Sequence, residues 1–278
     1  MKEKGESKVN IFKFEFKRQF KSLIIWTIVC SALVVLFMVL FPSMKDMGMQ
    51  DLVGDKLNAL PPAMLEAFNI NGMMDFSNIK DFMSYCLQYI VMASGIYGII
   101  LGVSALSKEE KEGTIEFLYS KPVTRSKIVT CKLAASALIM FIFIMIVCVV
   151  TMAVGIMVKP EELKIIDLLM DINIIYMGMA LISYTFMALG FMLSVLIKAR
   201  TNVTAISLGV FFLSFFMGVI GKMKDGLEWL IYLSPTDYFI PSMVLNDGFE
   251  AKYLIVAIGV MIISILVTYI VYNKKDLG

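Results

Sequence analysis

The sequence predicts an all-α integral membrane protein with six transmembrane helices, and three observations carry that prediction. The 278 residues are 59% hydrophobic and 17% charged, with a mean hydropathy of +0.82, whereas a soluble domain carries about a quarter charged residues. The deficit is concentrated in six uncharged runs of 19 to 26 residues, at 23–41, 82–107, 133–158, 172–197, 203–221 and 253–273. A helix needs roughly 20 apolar residues to cross a ~30 Å hydrocarbon core, and in lipid its backbone polar groups must be satisfied internally. Positive charge also alternates along the chain. Seventeen of the 25 Lys and Arg lie in the N-terminus, 108–132, 198–202 and the C-terminal tail, while 15 of the 23 acids lie in the other three connections. The positive side faces the cytoplasm, so both termini are expected there, flanking a single transmembrane domain over 1–278.

Ahead of the first span, the stretch NIFKFEFKRQFKS places Phe12, Phe16 and Phe20 at i, i+4, i+8, with Lys13, Lys17 and Lys21 at the same interval on a neighbouring face. This spacing predicts an amphipathic helix over 9–22, lying in the inner headgroup layer and in contact with membrane lipid. The first span is too long for the apolar part of a signal peptide, and no small-x-small site follows it. The outer loop at 42–81 contains Met44, Met47 and Met49, then Met73 and Met74. Thioethers are soft ligands that select Cu(I), so a copper-handling role stands as one alternative. Ordinary packing methionines, in a cap whose Leu57, Leu60, Met64, Leu65 and Phe68 form a small amphipathic helix, are the other.

In the second span Ser94, Gly98 and Gly102 recur every four residues, the interval that lets two helices approach closely. The expected use is packing within one subunit, with a dimer seam as the alternative. The next connection, 108–132, is highly charged, with six Lys or Arg and four Glu. Gly113 permits a turn, Thr114 can cap a short helix, and Ile115, Leu118 and Tyr119 share one face of it. Pro122 ends it, because the residue before a proline avoids the helical region. Thr124 is then placed to cap a helix leading into the third span. An apolar face on so short a cytoplasmic helix calls for a covering partner.

Other chemistry is narrowed by what the chain lacks. There is no histidine, which removes histidine acid–base catalysis and the His–Glu zinc motif. The cysteines Cys30, Cys86, Cys131 and Cys148 have no metal or redox spacing. None of the six runs contains Asp, Glu, Lys or Arg, so a coupling ion has no ionisable partner at midplane. No Gly-x4-Gly-Lys-Ser/Thr phosphate loop occurs. No catalytic constellation is visible, so the chain is not expected to be an enzyme, to have catalytic residues, or to bind a cofactor or nucleic acid directly.

The pattern E109-x3-G113-T114-x-E116-x-L118-x-S120-x-P122-V-x-R125-x2-I128-x3-K132 resembles the cytoplasmic loop of type-2 ATP-binding-cassette (ABC) permeases, the six-span membrane subunits of bacterial ABC exporters. The likeness extends to the six spans, the preceding amphipathic helix, and the outer segment 222–252 with its LEWLIYLSPTDYFIP, which looks like the family's outer helical hairpin dipping into the membrane. The resemblance implies a coupling helix in 108–132 that seats in a groove of a separate cytoplasmic ABC ATPase. Glu109, Gly113, Thr114, Ile115, Glu116, Leu118, Tyr119, Pro122 and Arg125 would be its coupling residues. Ile115, Leu118 and Tyr119 would be the docking face, and Glu116 and Arg125 polar contacts or loop anchors. It further implies a pair of ATPase subunits carrying ATP and Mg2+, a second permease subunit (identical or different), and a bacterial cytoplasmic membrane. Uncharged spans point to an apolar or amphipathic cargo: a peptide, an antibiotic or a lipid-like molecule. An ion-coupled or passive carrier, or a Met-rich copper protein, remains the alternative.

Overall fold

The computed structural model describes residues 2–46, 61, 64, 65, 69, 75–112, 124–197 and 201–274, with 2–10 and 108–112 described by backbone alone. Among these residues all the regular secondary structure is helical. The helices are α1 (Lys2–Asp46), α2 (Ile79–Glu112), α3 (Arg125–Val158), α4 (Ile165–Leu196), α5 (Val203–Met223), α6 (Pro241–Asp247) and α7 (Ala251–Lys274). Two 3-10 helices, Glu228–Leu233 and Pro235–Asp237, occupy the α5–α6 connection. All but α6 are long and apolar enough to span a membrane, and the molecule is a multi-pass membrane protein.

Local sequence explains several boundaries. Asn202 caps α5, its side chain accepting from the amides of Thr204 and Ala205 at 3.1 and 3.3 Å, as an N-cap asparagine does. Pro241 opens α6 at a position where its missing N–H costs nothing. Gly248, at φ +77°, closes α6 in a conformation that favours glycine. Thr124 takes the N-cap position of α3 but makes no side-chain capping bond, contrary to the role its sequence position suggests. Its carbonyl accepts from the amides of Lys127 and Ile128 instead. The segment 9–22 is not a separate element. It is the first part of α1, and the helix continues unbroken into the span.

The bundle is built around two helices running in parallel, α2 and α4. Here the small-residue stripe meets its partner within the chain. A Cβ on Gly98 would lie 2.4 Å from the Ser183 carbonyl oxygen, and one on Gly102 would lie 2.2 Å from that of Met187. On the facing helix, a Cβ on Gly190 would lie 2.6 Å from the Ile99 carbonyl. Only glycine permits that approach. One turn along, the Ser94 and Ser183 hydroxyls stand 2.8 Å apart. These two mid-span hydroxyls are thus satisfied inside the bundle, as lipid demands. Thr151 and Tyr176 do the same between α3 and α4, oxygen to oxygen at 2.5 Å.

Around this centre, α3 packs on α4 and carries α1 on its other flank, α7 packs on α4, and α5 packs on α2. The outer three expose rows of large apolar side chains, such as Ile28, Phe216 and Ile262. One end of the bundle gathers the start of α1, the end of α2, the start of α3 and the end of α7. The opposite end carries the segment where a helical hairpin is expected. There the two 3-10 helices and α6 bury Tyr238, Phe239, Ile240 and Val244 and leave Trp229, Tyr232 and Leu233 exposed.

Candidate functional site

At the end that carries the α2–α3 connection, α1 and α3 lie side by side. The face of α1 that meets α3 is polar before it becomes apolar: Glu15, Gln19 and Leu23 are buried at i, i+4, i+8, and the stripe continues through Cys30, Val34, Met38 and Phe41. On α3 the matching positions are Lys132 and Ser136, both 0% exposed. Lys132 Nζ lies 3.1 Å from Glu15 Oε1 and donates to the Ala105 carbonyl of α2 at 2.5 Å. Arg18 completes the carboxylate's neutralisation, 2.9 Å from Oε2. A turn deeper, Gln19 Nε2 donates to Ser136 Oγ at 3.1 Å. Glu15–Lys132 and Gln19–Ser136 share one sequence offset, 117 residues, as parallel helices held in one register require. An ammonium excluded from water is tolerated only when paired and hydrogen-bonded, and here both conditions are met.

The start of α3 is fastened a second time. Arg125, its first residue, donates from Nη1 to the carbonyls of Tyr272 and Asn273 at 3.4 and 3.2 Å. These are among the last carbonyls of α7, where a helix has unpaired acceptors and a negative dipole end. The Asn273 side chain lies within 3.2 Å of Ser126 Oγ, and the Thr130 and Tyr269 hydroxyls meet at 2.7 Å. Arg125 therefore ties the start of α3 to the end of α7.

The remaining coupling candidates divide by location. Glu109 lies on the last turns of α2, of which only the backbone is described. Gly113, Thr114, Ile115, Glu116, Leu118, Tyr119 and Pro122 fall outside the described residues. In α1, Phe12, Phe16 and Phe20 do form the anticipated ladder, with ring centroids 6.4 and 6.1 Å apart, and Lys13 and Lys17 are exposed. Sequence reasoning missed the third face of that segment, where Glu15 and Gln19 turn inward. The available signal was their i, i+4 continuation of the apolar stripe that runs on from Leu23. Met44 packs half-buried against the core, while Met47 and Met49 lie outside the described residues.

The opposite end has a polar cluster of its own. Lys222, at the end of α5, lies 2.5 Å from Asp237 Oδ1 and 2.6 Å from Asn69 Oδ1. Ser234 donates to Asp237 Oδ2 at 2.5 Å. Gly218 leaves room for this carboxylate, since a Cβ there would lie against Asp237 Oδ2. Burial, and then the Asp237 charge, push the neighbouring Tyr238 hydroxyl above its usual pKa, and it serves as a donor to the Tyr232 carbonyl. Between Asn69, Gln88, Thr236 and Asp237 lies a cavity of about 20 Å³, the size of one water.

Comparison with known proteins agrees with this architecture. The sequence model described as "ABC-2 family transporter protein" matches residues 9–277. Over 194 residues the chain is 22% identical to "Probable ABC transporter permease protein NosY" of Stutzerimonas stutzeri, covering 66% of this chain and 69% of that protein. The family match spans nearly the whole chain, and the chain belongs to the ABC-2 family of transporter proteins.

Proposed function

Starting from that membership, which makes the chain a membrane permease subunit of an ABC transporter, we propose that it is the membrane half of an exporter driven through the 108–132 loop. ATP and Mg2+ sit on a separate pair of cytoplasmic ATPase subunits. Ile115, Leu118 and Tyr119 form the face that seats in the ATPase, with Glu109, Glu116 and the Gly113 and Pro122 turns shaping the loop around it. Both termini lie in the cytoplasm of a bacterial cell, and a second permease subunit, identical or different, covers part of the exposed apolar surface. The cargo is apolar or amphipathic, since the spans offer no charged side chain at midplane.

One observation carries this reading: the loop that bears the motif leads into α3, whose start is fastened through Lys132 to α1 and to the Ala105 carbonyl of α2, and through Arg125 to α7. A displacement of the loop then becomes a displacement of spans, a rigid-body route to alternating access. The buried charges at this end are paired with one another, which leaves an ion-coupled mechanism without a free coupling group among them.

The test is co-purification from the native membrane in mild detergent, with ATPase activity assayed in each eluate. Wild type is expected to bring down an ATPase, and Leu118→Asp/Tyr119→Asp, inserted at equal levels, is expected to lose it. Absence of ATPase beside folded wild type would remove the proposal.

A further inference from the structure

We infer that Glu15 and Lys132 are positioning residues of the coupling step, fastening α1, just ahead of its uncharged stretch, to the helices that carry the 108–132 loop so that α1 moves with the loop as one body. This rests on the reading that an ATPase drives the loop. Lys132 links three helices: it belongs to α3, and its ammonium reaches α2 through the Ala105 carbonyl and α1 through Glu15. Ala105 lies near the loop's entrance and Lys132 near its exit, so both limbs meet at a single charge. Arg18, one turn along α1, holds the other oxygen of the same carboxylate.

The chemistry of the junction matters more than its strength. An apolar contact between helices can slide, because one methyl replaces another at little cost. A desolvated charge pair cannot, because separation leaves two unpaired charges where water does not reach. Lys132 is 0% exposed and Glu15 2%, so no solvent stands ready to take over either partner. Gln19 and Ser136 repeat the polar contact a turn deeper, which fixes rotation of α1 as well as its translation. Replacement of a buried ion pair by apolar residues of similar volume commonly leaves stability unchanged or higher. Stability alone therefore gives no reason for charge at this position, whereas a joint that must not slip does.

The experiment uses the chain together with its co-purified ATPase, in a background with Cys30, Cys86, Cys131 and Cys148 replaced by alanine. Spin labels at Lys17→Cys on α1 and Ala134→Cys on α3, both exposed positions, report the α1–α3 distance by pulsed electron resonance. With the pair intact, the distance is expected to be the same in the nucleotide-free state and in the ADP–vanadate-trapped state. With Glu15→Leu/Lys132→Met, which removes both fully buried charges and takes from the partly exposed Arg18 only its Glu15 contact, the nucleotide-free distance is expected to be retained and a second distance to appear on trapping. A purely structural role would not make the change depend on nucleotide. A double variant that keeps one distance in both states overturns the inference, as does an intact pair whose distance shifts on trapping. With the ATPase present and active in either case, only the brace fails. If no ATPase accompanies the unlabelled wild type, the docking reading fails first and the inference with it.

Discussion

Replacing Lys132 alone with methionine strands the Glu15 carboxylate with only Arg18 beside it. Breaking a buried pair from one side costs about 3–5 kcal/mol when the remaining charge is uncompensated; with Arg18 still on Oε2, Lys132→Met is expected to cost less than that and still to lower the thermal midpoint in detergent. Glu15→Leu/Lys132→Met should recover most of that loss, because both fully buried charges are then gone and only the partly exposed Arg18 gives up its Glu15 contact. A double variant no more stable than the single would contradict the assignment of the pair. Asn202→Ala removes a cap that serves two amides, with an expected cost of about 1 kcal/mol, readable as faster amide exchange in the first turn of α5. At this scale the sequence was only partly legible. The Phe12–Phe16–Phe20 ladder followed from spacing, because neighbours on one helix face are set by the helix itself. That Lys132 is buried did not follow, because it depends on which helix lies opposite, and a lysine beside an uncharged run reads equally well as the span's exposed edge.

Among the elements, the contact between α2 and α4 is the one most sensitive to volume. Gly102→Ala places a methyl where the Met187 carbonyl already lies and must push the helices apart, with an expected cost of about 1–3 kcal/mol, as overpacking does. Gly209→Ala on α5 meets nothing within 4 Å and is expected to be neutral or to gain up to about 1 kcal/mol from helix propensity. Equal effects of the two substitutions on unfolding by a denaturing detergent would contradict the packing described. The spacing of Ser94, Gly98 and Gly102 showed a close approach but not the partner, since the four-residue interval is shared by contacts within and between subunits. The long α1 illustrates the opposite difficulty. Residues 9–22 differ in composition from 23–41, which suggested two elements, but a change of surroundings from interface to lipid does not interrupt backbone hydrogen bonding, and no Pro or Gly separates them.

For the whole molecule, six spans were legible because lipid imposes a length and an uncharged composition on each crossing. The packing order of those spans was not, since apolar helices look alike in sequence and are sorted by small residues and a few polar contacts. The candidate site divides the same way. Its motif was readable as a resemblance, and its anchoring to α1 and α7 came only with the fold. The account's central claim is that the 108–132 loop is where a separate ATPase takes hold. The measurement that tests it most directly is photocross-linking in the intact native membrane, with a photoreactive residue at Leu118 or Tyr119 and, as control, at exposed Lys17 on α1. The account predicts that both loop positions form an adduct with a protein that carries a phosphate-binding Gly-x4-Gly-Lys-Ser/Thr loop, identified by peptide mass spectrometry, and that the control position does not. Loop positions that yield no such adduct in a chain inserted at wild-type levels would contradict it.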